Sequence, residues 1–237
     1  MVVLLFGVSV LVFLISHCVP SNPAAANLSQ TALNDPEIVA AYEAKWGLDK
    51  PIWEQYIIYM KNILINHDLG TSIRTGRPVL DELAQYFPAT LELSVFAMLI
   101  AIVLGITFGV LSAIFQNKPL DYILRTVSVS GVSLPSFWFA LLVMNLFCNV
   151  LGIFPSGNRF NPRLFDPTGG TGFYVIDAIS WGNWALLGDV LAHLFLPALV
   201  LGFFTMGLIT RQTRSNLLEA MSSDYIRTAR AKGLKEI

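Results

Sequence analysis

Apolar and polar positions fall along this chain in long blocks. Residues 1–34 hold no Asp, Glu, Lys or Arg, and their apolar part covers 1–19. Further uncharged runs cover 93–117, 126–158 and 190–210, the last with His193 as its titratable group. A bilayer core of about 30 Å needs roughly 20 mostly apolar residues in a helix, and the four runs meet or nearly meet that length. A large buried helical core is the alternative, but a globule of 237 residues needs amphipathic helices to cover such a core. These runs are apolar on all faces. The pattern therefore predicts a polytopic membrane protein with spans near 1–19, 89–116, 126–150 and 190–210.

Composition agrees. The chain is 54% hydrophobic and 13% charged, against about 25% charged in a soluble domain, and its mean hydropathy is +0.61. A formal net charge of -1 gives no general pull toward nucleic acid. The first run also has signal-peptide features, with small residues at Ala24, Ala25 and Ala26 where cleavage would fall. No Lys or Arg precedes it, however, and three more spans follow. The reading favours a retained helix, and the missing basic flank implies that the natural start lies further upstream.

Cations orient the spans. Segment 20–88 carries Lys45, Lys50, Lys61, Arg74 and Arg77 diluted among eight acids. The connection 117–125 carries Lys118 and Arg125, and the loop 151–189 carries Arg159 and Arg163. The tail 211–237 carries six: Arg211, Arg214, Arg227, Arg230, Lys232 and Lys235. With four alternating spans, 117–125 shares a side with the tail, and the dense positive charge puts both in the cytoplasm. Segments 20–88 and 151–189 are then outside. Near 51–64, Pro51 suits a first helical position, and Ile52, Tyr56, Tyr59, Met60, Ile63 and Leu64 follow at helical spacing. That predicts an amphipathic helix on the membrane surface or on the other spans.

Chemistry-bearing motifs are scarce. Gly70 and Gly76 do not form a phosphate loop, because Arg77 stands where Lys-Ser/Thr belongs, and no Walker-type sequence occurs. Any nucleotide-driven motor must be another chain. Gly105 and Gly109 form a GxxxG face for close helix packing. Pro135, with Gly131, Ser133 and Ser136 beside it, removes a helix hydrogen bond. A kink lining a pore and a tolerated bend both fit, and Pro197 raises the same question. Cys18 and Cys148 can pair in an oxidising compartment or serve as small apolar fillers. His17, His67 and His193 lie at no ligand spacing, so no metal site and no catalytic residue is expected. Glu92 and Asp189 are expected at span ends, within reach of water. The lack of ionisable groups at depth, His193 apart, argues against ion coupling and intramembrane hydrolysis.

The tail is the most informative stretch. In "SSDYIRTARAKGLKEI" Ser222 or Ser223 can cap a helix, Asp224 complements its first turn, and Arg230 and Lys232 complement its last. Gly233 supplies the left-handed residue that ends many helices. Tyr225, Ile226 and Ala229 share a side edged by Arg227, Arg230 and Lys232. A helix this short is marginal alone. It needs its own membrane domain, a partner's groove, or anionic headgroups as an anchor.

The tail "TRSNLLEAMSSDYIRTARAKGL" resembles the cytoplasmic loop signature of permease subunits from binding-protein-dependent ABC importers, in the dipeptide, oligopeptide and nickel branch. "WGLDKP", "DLGTSIRTGRPV", "PATLELS", "SLPSFW" and "LPALVLG" fall in the order expected for that family and cover nearly the whole chain. The resemblance implies an all-α fold, a polytopic transmembrane helical bundle of the type I ABC importer kind, with four of about six spans present. The general loop pattern is Glu-Ala-Ala, three residues, then Gly. Here Arg227, Thr228 and Ala229 stand for the first three and Gly233 for the last, with Ala229 and Gly233 matching. The resemblance implies that Asp224, Tyr225, Ile226, Arg227, Thr228, Ala229, Arg230, Ala231, Lys232 and Gly233 form the helix that couples the membrane domain to an ATPase. It further implies a second homologous permease, two ATPase subunits that use ATP and Mg, and an external substrate-binding protein. No cofactor is expected on this chain. The longer outer loop around 160–183 resembles that of dipeptide permeases and favours di- or oligopeptides over nickel, glutathione or another small solute. An ion-coupled secondary transporter and a membrane sensor or enzyme scaffold are the readings from other classes. Family members begin with a basic cytoplasmic stretch and continue through two more spans, so the chain is expected to be a fragment.

Overall fold

The computed structural model describes residues 1–18, 28, 33–72, 74–165 and 169–233, without the side chains of Val2, Cys18, Val132, Ala229 and Arg230. It divides into two compact units, Met1–Tyr86 and Phe87–Ile237. Among the described residues the regular elements are helical, with one isolated antiparallel bridge, Thr71 with Pro78.

The first unit begins with α1 (Val2–Cys18), apolar along its 17 residues. Helix α2 (Pro36–Trp46) starts where the Asp35 side chain accepts from the Glu37 N–H, and stops at Gly47 in the left-handed conformation, φ 64°. Helix α3 (Ile52–Leu64) is the amphipathic helix expected from its spacing. Pro51 stands just outside it rather than at its first position, its carbonyl accepting from the N–H groups of Glu54 and Gln55. The aromatic face of α3 lies on α1: Tyr56 meets Phe13 edge-on at 5.3 Å, and the Tyr56 hydroxyl pairs with Ser9 Oγ at 2.8 Å. His17 Nε2 lies 3.0 Å from Gln55 Oε1. Lys45 pairs with Asp68 at 2.7 Å, and this contact together with the Gly70 N–H holds the Asp68 carboxyl below the usual carboxylate range.

The chain then enters α4 (Val79–Ile114), 36 residues containing Pro88. It is followed by α5 (Pro119–Ser133), by α6 (Ser136–Met144) running into a π-turn Asn145–Val150, by α7 (Tyr174–Ser180) and by α8 (Trp184–Ser222), 39 residues containing Pro197. The short α9 (Asp224–Ala231) ends the described chain.

Several expected boundaries move. Among the described residues, α4 and α8 are the two helices long and apolar enough to cross a membrane; they overrun the spans expected at 89–116 and 190–210. At about 1.5 Å per residue they approach 54 and 58 Å, so each extends beyond the hydrocarbon layer. Residues 211–222, expected in a loop, continue α8. The span expected at 126–150 is two helices bent by 107°, Pro119–Gly131 and Ser136–Val150, which add a third crossing if counted as one. The cause is local. The ring of Pro135 pushes the residue before it out of the helical region, and Leu134 is extended at φ -90°, ψ 142°. Helix α1, expected as a span over 1–19, is a shorter apolar helix.

The second unit is organised around α8. A Cβ at Gly105 would lie 2.7 Å from Ile209 Cβ, and one at Gly109 would lie 2.6 Å from Thr213 Cβ. These glycines bring the α4 backbone against α8. Gly202 returns the favour from α8, its would-be Cβ 2.8 Å from the Ala97 carbonyl oxygen, and Gly131 of α5 approaches the Phe203 carbonyl at the same distance. Near the start of α8 the buried Ala178, Leu186 and Val190 form a small core covered by Phe160, Phe165 and Tyr174.

Candidate functional site

Ser223 alone separates α8 from α9. The hydroxyls of Ser222 and Ser223 donate back to the carbonyls of Glu219 and Ala220, so the side-chain cap expected from either serine is not made. The Ser223 carbonyl instead accepts from the Arg227 N–H. Gly233 takes the left-handed conformation at φ 74°, two residues past the last helical position. Lys232 lies in that closing turn rather than in the helix, its N–H donating to the Thr228 carbonyl. Tyr225 is exposed, as are Asp224, Arg227, Thr228, Ala231 and Lys232, while Ile226 is half-buried. Helix α9 therefore leaves Tyr225, a large amphipathic side chain, uncovered beside cationic groups. The side chains of Ala229 and Arg230, and all of Lys235, lie outside the described residues.

Almost three turns before α9, α8 is gripped by an ion pair that the sequence reading did not find. Asp121, in the first turn of α5, is fully buried and accepts four hydrogen bonds. Arg214 donates Nε to Oδ1 at 3.1 Å and Nη2 to Oδ2 at 3.0 Å. Ser112 Oγ donates to Oδ1, and the Asn117 N–H donates to Oδ2 at 3.0 Å. Arg214 Nε is also shared with Ser112 Oγ at 3.0 Å. The end of α4, the start of α5 and the last third of α8 thus meet on one carboxylate. A buried charge needs such full pairing. The partners lie 93 and 102 residues apart in sequence, beyond the reach of spacing arguments.

The other end of the bundle is pinned in the same way. Glu92, expected at a water-accessible span end, is buried at 7% exposure. Its Oε2 accepts from Arg159 Nη2 at 2.6 Å and its Oε1 from the Val175 N–H at 2.8 Å. Arg159 also donates to the Gly172 carbonyl and lies 3.9 Å over the Tyr174 ring. Asp189 accepts from the Asn161 N–H at 2.6 Å, and Asp177 gathers the Thr171 and Gly172 N–H groups. These carboxylates fold the connection between α6 and α8 onto the bundle. Glu92 and Asp189 thus fasten a loop instead of facing water freely.

The candidate pathway residues divide. Ser133 lines an open groove of about 410 Å³ on α5 with Tyr122, Arg125, Thr126 and Ser130. Its hydroxyl donates to the Val129 carbonyl at 3.1 Å. Pro135 and Ser136 fall at the break and at the start of α6, outside that groove. Among the described residues no cluster of three His, Cys, Asp or Glu side chains can hold a metal ion. Cys148 is a free thiol whose Sγ contacts the Pro155 carbonyl; the Cys18 side chain, which a pairing would need, lies outside the described residues.

Residues 105–237 match the family described as the binding-protein-dependent transport system inner membrane component, and residues 1–94 match that system's N-terminal membrane component. The chain belongs to this permease family. It is 46% identical over 234 residues to the probable D,D-dipeptide transport system permease DdpB of Escherichia coli (strain K12), covering 99% of this chain and 68% of that protein. The dipeptide transport system permease DppB of Alkalihalophilus pseudofirmus is 43% identical, with 97% of this chain and 68% of that protein covered. The glutathione transport system permease GsiC of Escherichia coli O6:H1 is 34% identical, over 98% and 65% respectively. The permease is accordingly a multi-pass cell-membrane protein and a membrane subunit of an ABC importer, a family that works with ATPase and substrate-binding partners.

Proposed function

We propose that this permease forms half of a channel for di- or oligopeptides and that α9 is its docking foot on an ATPase subunit. The observation that carries the cargo is the 46% identity to a permease named for D,D-dipeptides, against 34% to one named for glutathione. The docking role rests on a short helix with Tyr225 exposed among cations, next to a carboxylate knot that joins three membrane helices to its root. Asp224 to Gly233, including Ala229 and Arg230, would sit in the partner's cleft, on the cytoplasmic side. ATP and Mg would act on the two partner ATPases, with no cofactor on this chain. A second homologous permease would complete the channel, and an external binding protein would deliver peptide to the opposite face.

The test is uptake of a labelled dipeptide by the full complex in proteoliposomes, with ATP hydrolysis measured in parallel. Tyr225→Asp and Gly233→Arg are expected to lower peptide transported per ATP by about tenfold or more, the loss of roughly 1.4 kcal/mol of coupling. Unchanged transport per ATP in both variants would refute the docking role. Uptake that continues without ATP but stops when the proton gradient is collapsed would refute the importer reading of this complex. Uptake of glutathione in preference to dipeptides would refute the cargo alone.

A further inference from the structure

Between α5 and α8, on the side of the bundle that leads to α9, lies a cavity of about 380 Å³ whose polar lining is cationic and hydroxylic. Helix α8 contributes Thr210, Arg211, Arg214 and Ser215, and α5 contributes Arg125 and Ser128. The α8 residues recur at three- and four-residue spacing, continuing Gly207 and ending at Leu218, so one stripe of that helix forms the wall. The cavity's size lies within the usual range of small-ligand sites.

The charge in this cavity is unbalanced. Arg214 is spoken for, because both its bonding edges meet Asp121. Asp121 is the carboxylate adjoining the cavity, and Arg214 neutralises it. Arg125 and Arg211 make no ion pair or hydrogen bond among the described residues. Glu219, one residue past the lining Leu218, is exposed and does not line the cavity. Two guanidinium groups therefore face one recess without an anion.

A second observation is independent of charge. Thr210 is 2% exposed, lines the cavity, and its Oγ1 has no hydrogen-bond partner among the described residues. A hydroxyl in a helix usually satisfies itself on the preceding turn, as Ser128 does on Leu124 and Thr205 on Leu201. A buried polar atom left unpaired costs about 1–3 kcal/mol. A ligand oxygen supplied from the cavity would remove that cost.

Depth in the membrane selects the ligand. The uncharged run of α8 ends at Thr210, and Arg211 is the first charge after it. The cavity thus straddles the level where acyl chains give way to headgroups, with Val129 and Leu218 as its apolar walls. We infer that this cavity binds the phosphate group of an anionic phospholipid. Arg125 and Arg211 hold the phosphate oxygens, the Thr210 hydroxyl donates to one of them, and the glycerol and first methylenes lie against Val129. Basic pockets between membrane helices are suited to such headgroups. Failure of this inference would leave the importer reading untouched.

The test uses the full importer complex purified from phosphatidylglycerol-containing membranes and exchanged into a neutral detergent, with retained lipid measured by mass spectrometry. Wild type is expected to keep phosphatidylglycerol and release phosphatidylcholine. Arg125→Gln/Arg211→Gln is expected to lower phosphatidylglycerol affinity roughly thirtyfold, about fivefold for each cation near an anionic surface. Thr210→Val should weaken retention with charge unchanged, and Arg125→Lys/Arg211→Lys should restore most of what the glutamines lose. Lys118→Gln removes a nearby cation that does not line the cavity and should leave retention unchanged. Equal retention by wild type and the double glutamine variant would overturn the inference. So would an equal loss in Lys118→Gln, which would mean diffuse surface attraction. Stabilisation of the complex by millimolar inorganic phosphate, with displacement of the lipid, would assign the pocket to free phosphate and overturn the lipid.

Discussion

Replacing Arg214 by Gln isolates the carboxylate that joins α4, α5 and α8. Asp121 is fully buried, and Arg214 supplies two of its four hydrogen bonds and its only countercharge among the described residues. Ser112 Oγ and the Asn117 N–H would remain, which satisfies one donor per oxygen but leaves the charge uncompensated. Removing one partner of a buried ion pair costs about 3–5 kcal/mol. For a domain of this size that translates to a fall in melting temperature of roughly 6–20 °C, at about 2–4 °C per kcal/mol. Asp121→Asn is expected to cost less, because the Arg214 side chain is 21% exposed and its charge can turn toward water. The double variant Asp121→Asn/Arg214→Gln should then cost less than the sum of the two, since both remove the same interaction. The assay is loss of the monodisperse permease peak after heating in one detergent, at fixed protein concentration. Melting of Arg214→Gln within a degree of wild type would refute the reasoning. So would Asp121→Asn proving the more damaging single change.

Other residues give sharper local tests. Gly109→Ala places a Cβ 2.6 Å from Thr213 Cβ and 2.9 Å from the Thr210 carbonyl oxygen, so it should destabilise the permease by about 1–3 kcal/mol; Gly188→Ala, in a long helix with open space at its Cβ, should be neutral or gain up to about 1 kcal/mol, and equal melting of the two variants would count against the seam. Glu92→Gln removes the anion that holds Arg159 and should make trypsin cut at Arg159 or Arg163 several times faster in intact membranes, a change that an unfastened loop in wild type would not show. Asp68 has its carboxyl lowered chiefly by Lys45. Its contribution to the first unit is therefore present above the unfolded carboxylate range and is lost as pH falls through its lower folded value. Lys45 lies 5.4 Å over the Trp46 ring, so an acid-side change in Trp46 fluorescence should be present in wild type and absent in Asp68→Asn.

The long apolar blocks and local punctuation were legible because they act over a few residues. Pro51 precedes α3, and Asp224 and Gly233 bracket α9. The aromatic spacing of 52–64 announced a packed face before its partner was known. Boundaries were less legible: hydropathy marks where lipid is favourable, while a helix continues wherever its backbone bonds can form. That is why α8 runs on through the polar residues 211–222, and why α4 begins nine residues before Pro88.

What the sequence by itself determined is a helical membrane protein with a short, cationic closing helix and no nucleotide motif. Tertiary structure alone decided which polar residues meet. Arg214 finds Asp121, and Glu92 finds Arg159, across 93 and 67 residues. It also converted Gly105 and Gly109 from a common pattern into a specific seam on α8. The physical reason is range. Propensity, caps and hydropathy are read within a turn or two, whereas a buried charge takes whichever partner folding delivers, from any distance along the chain.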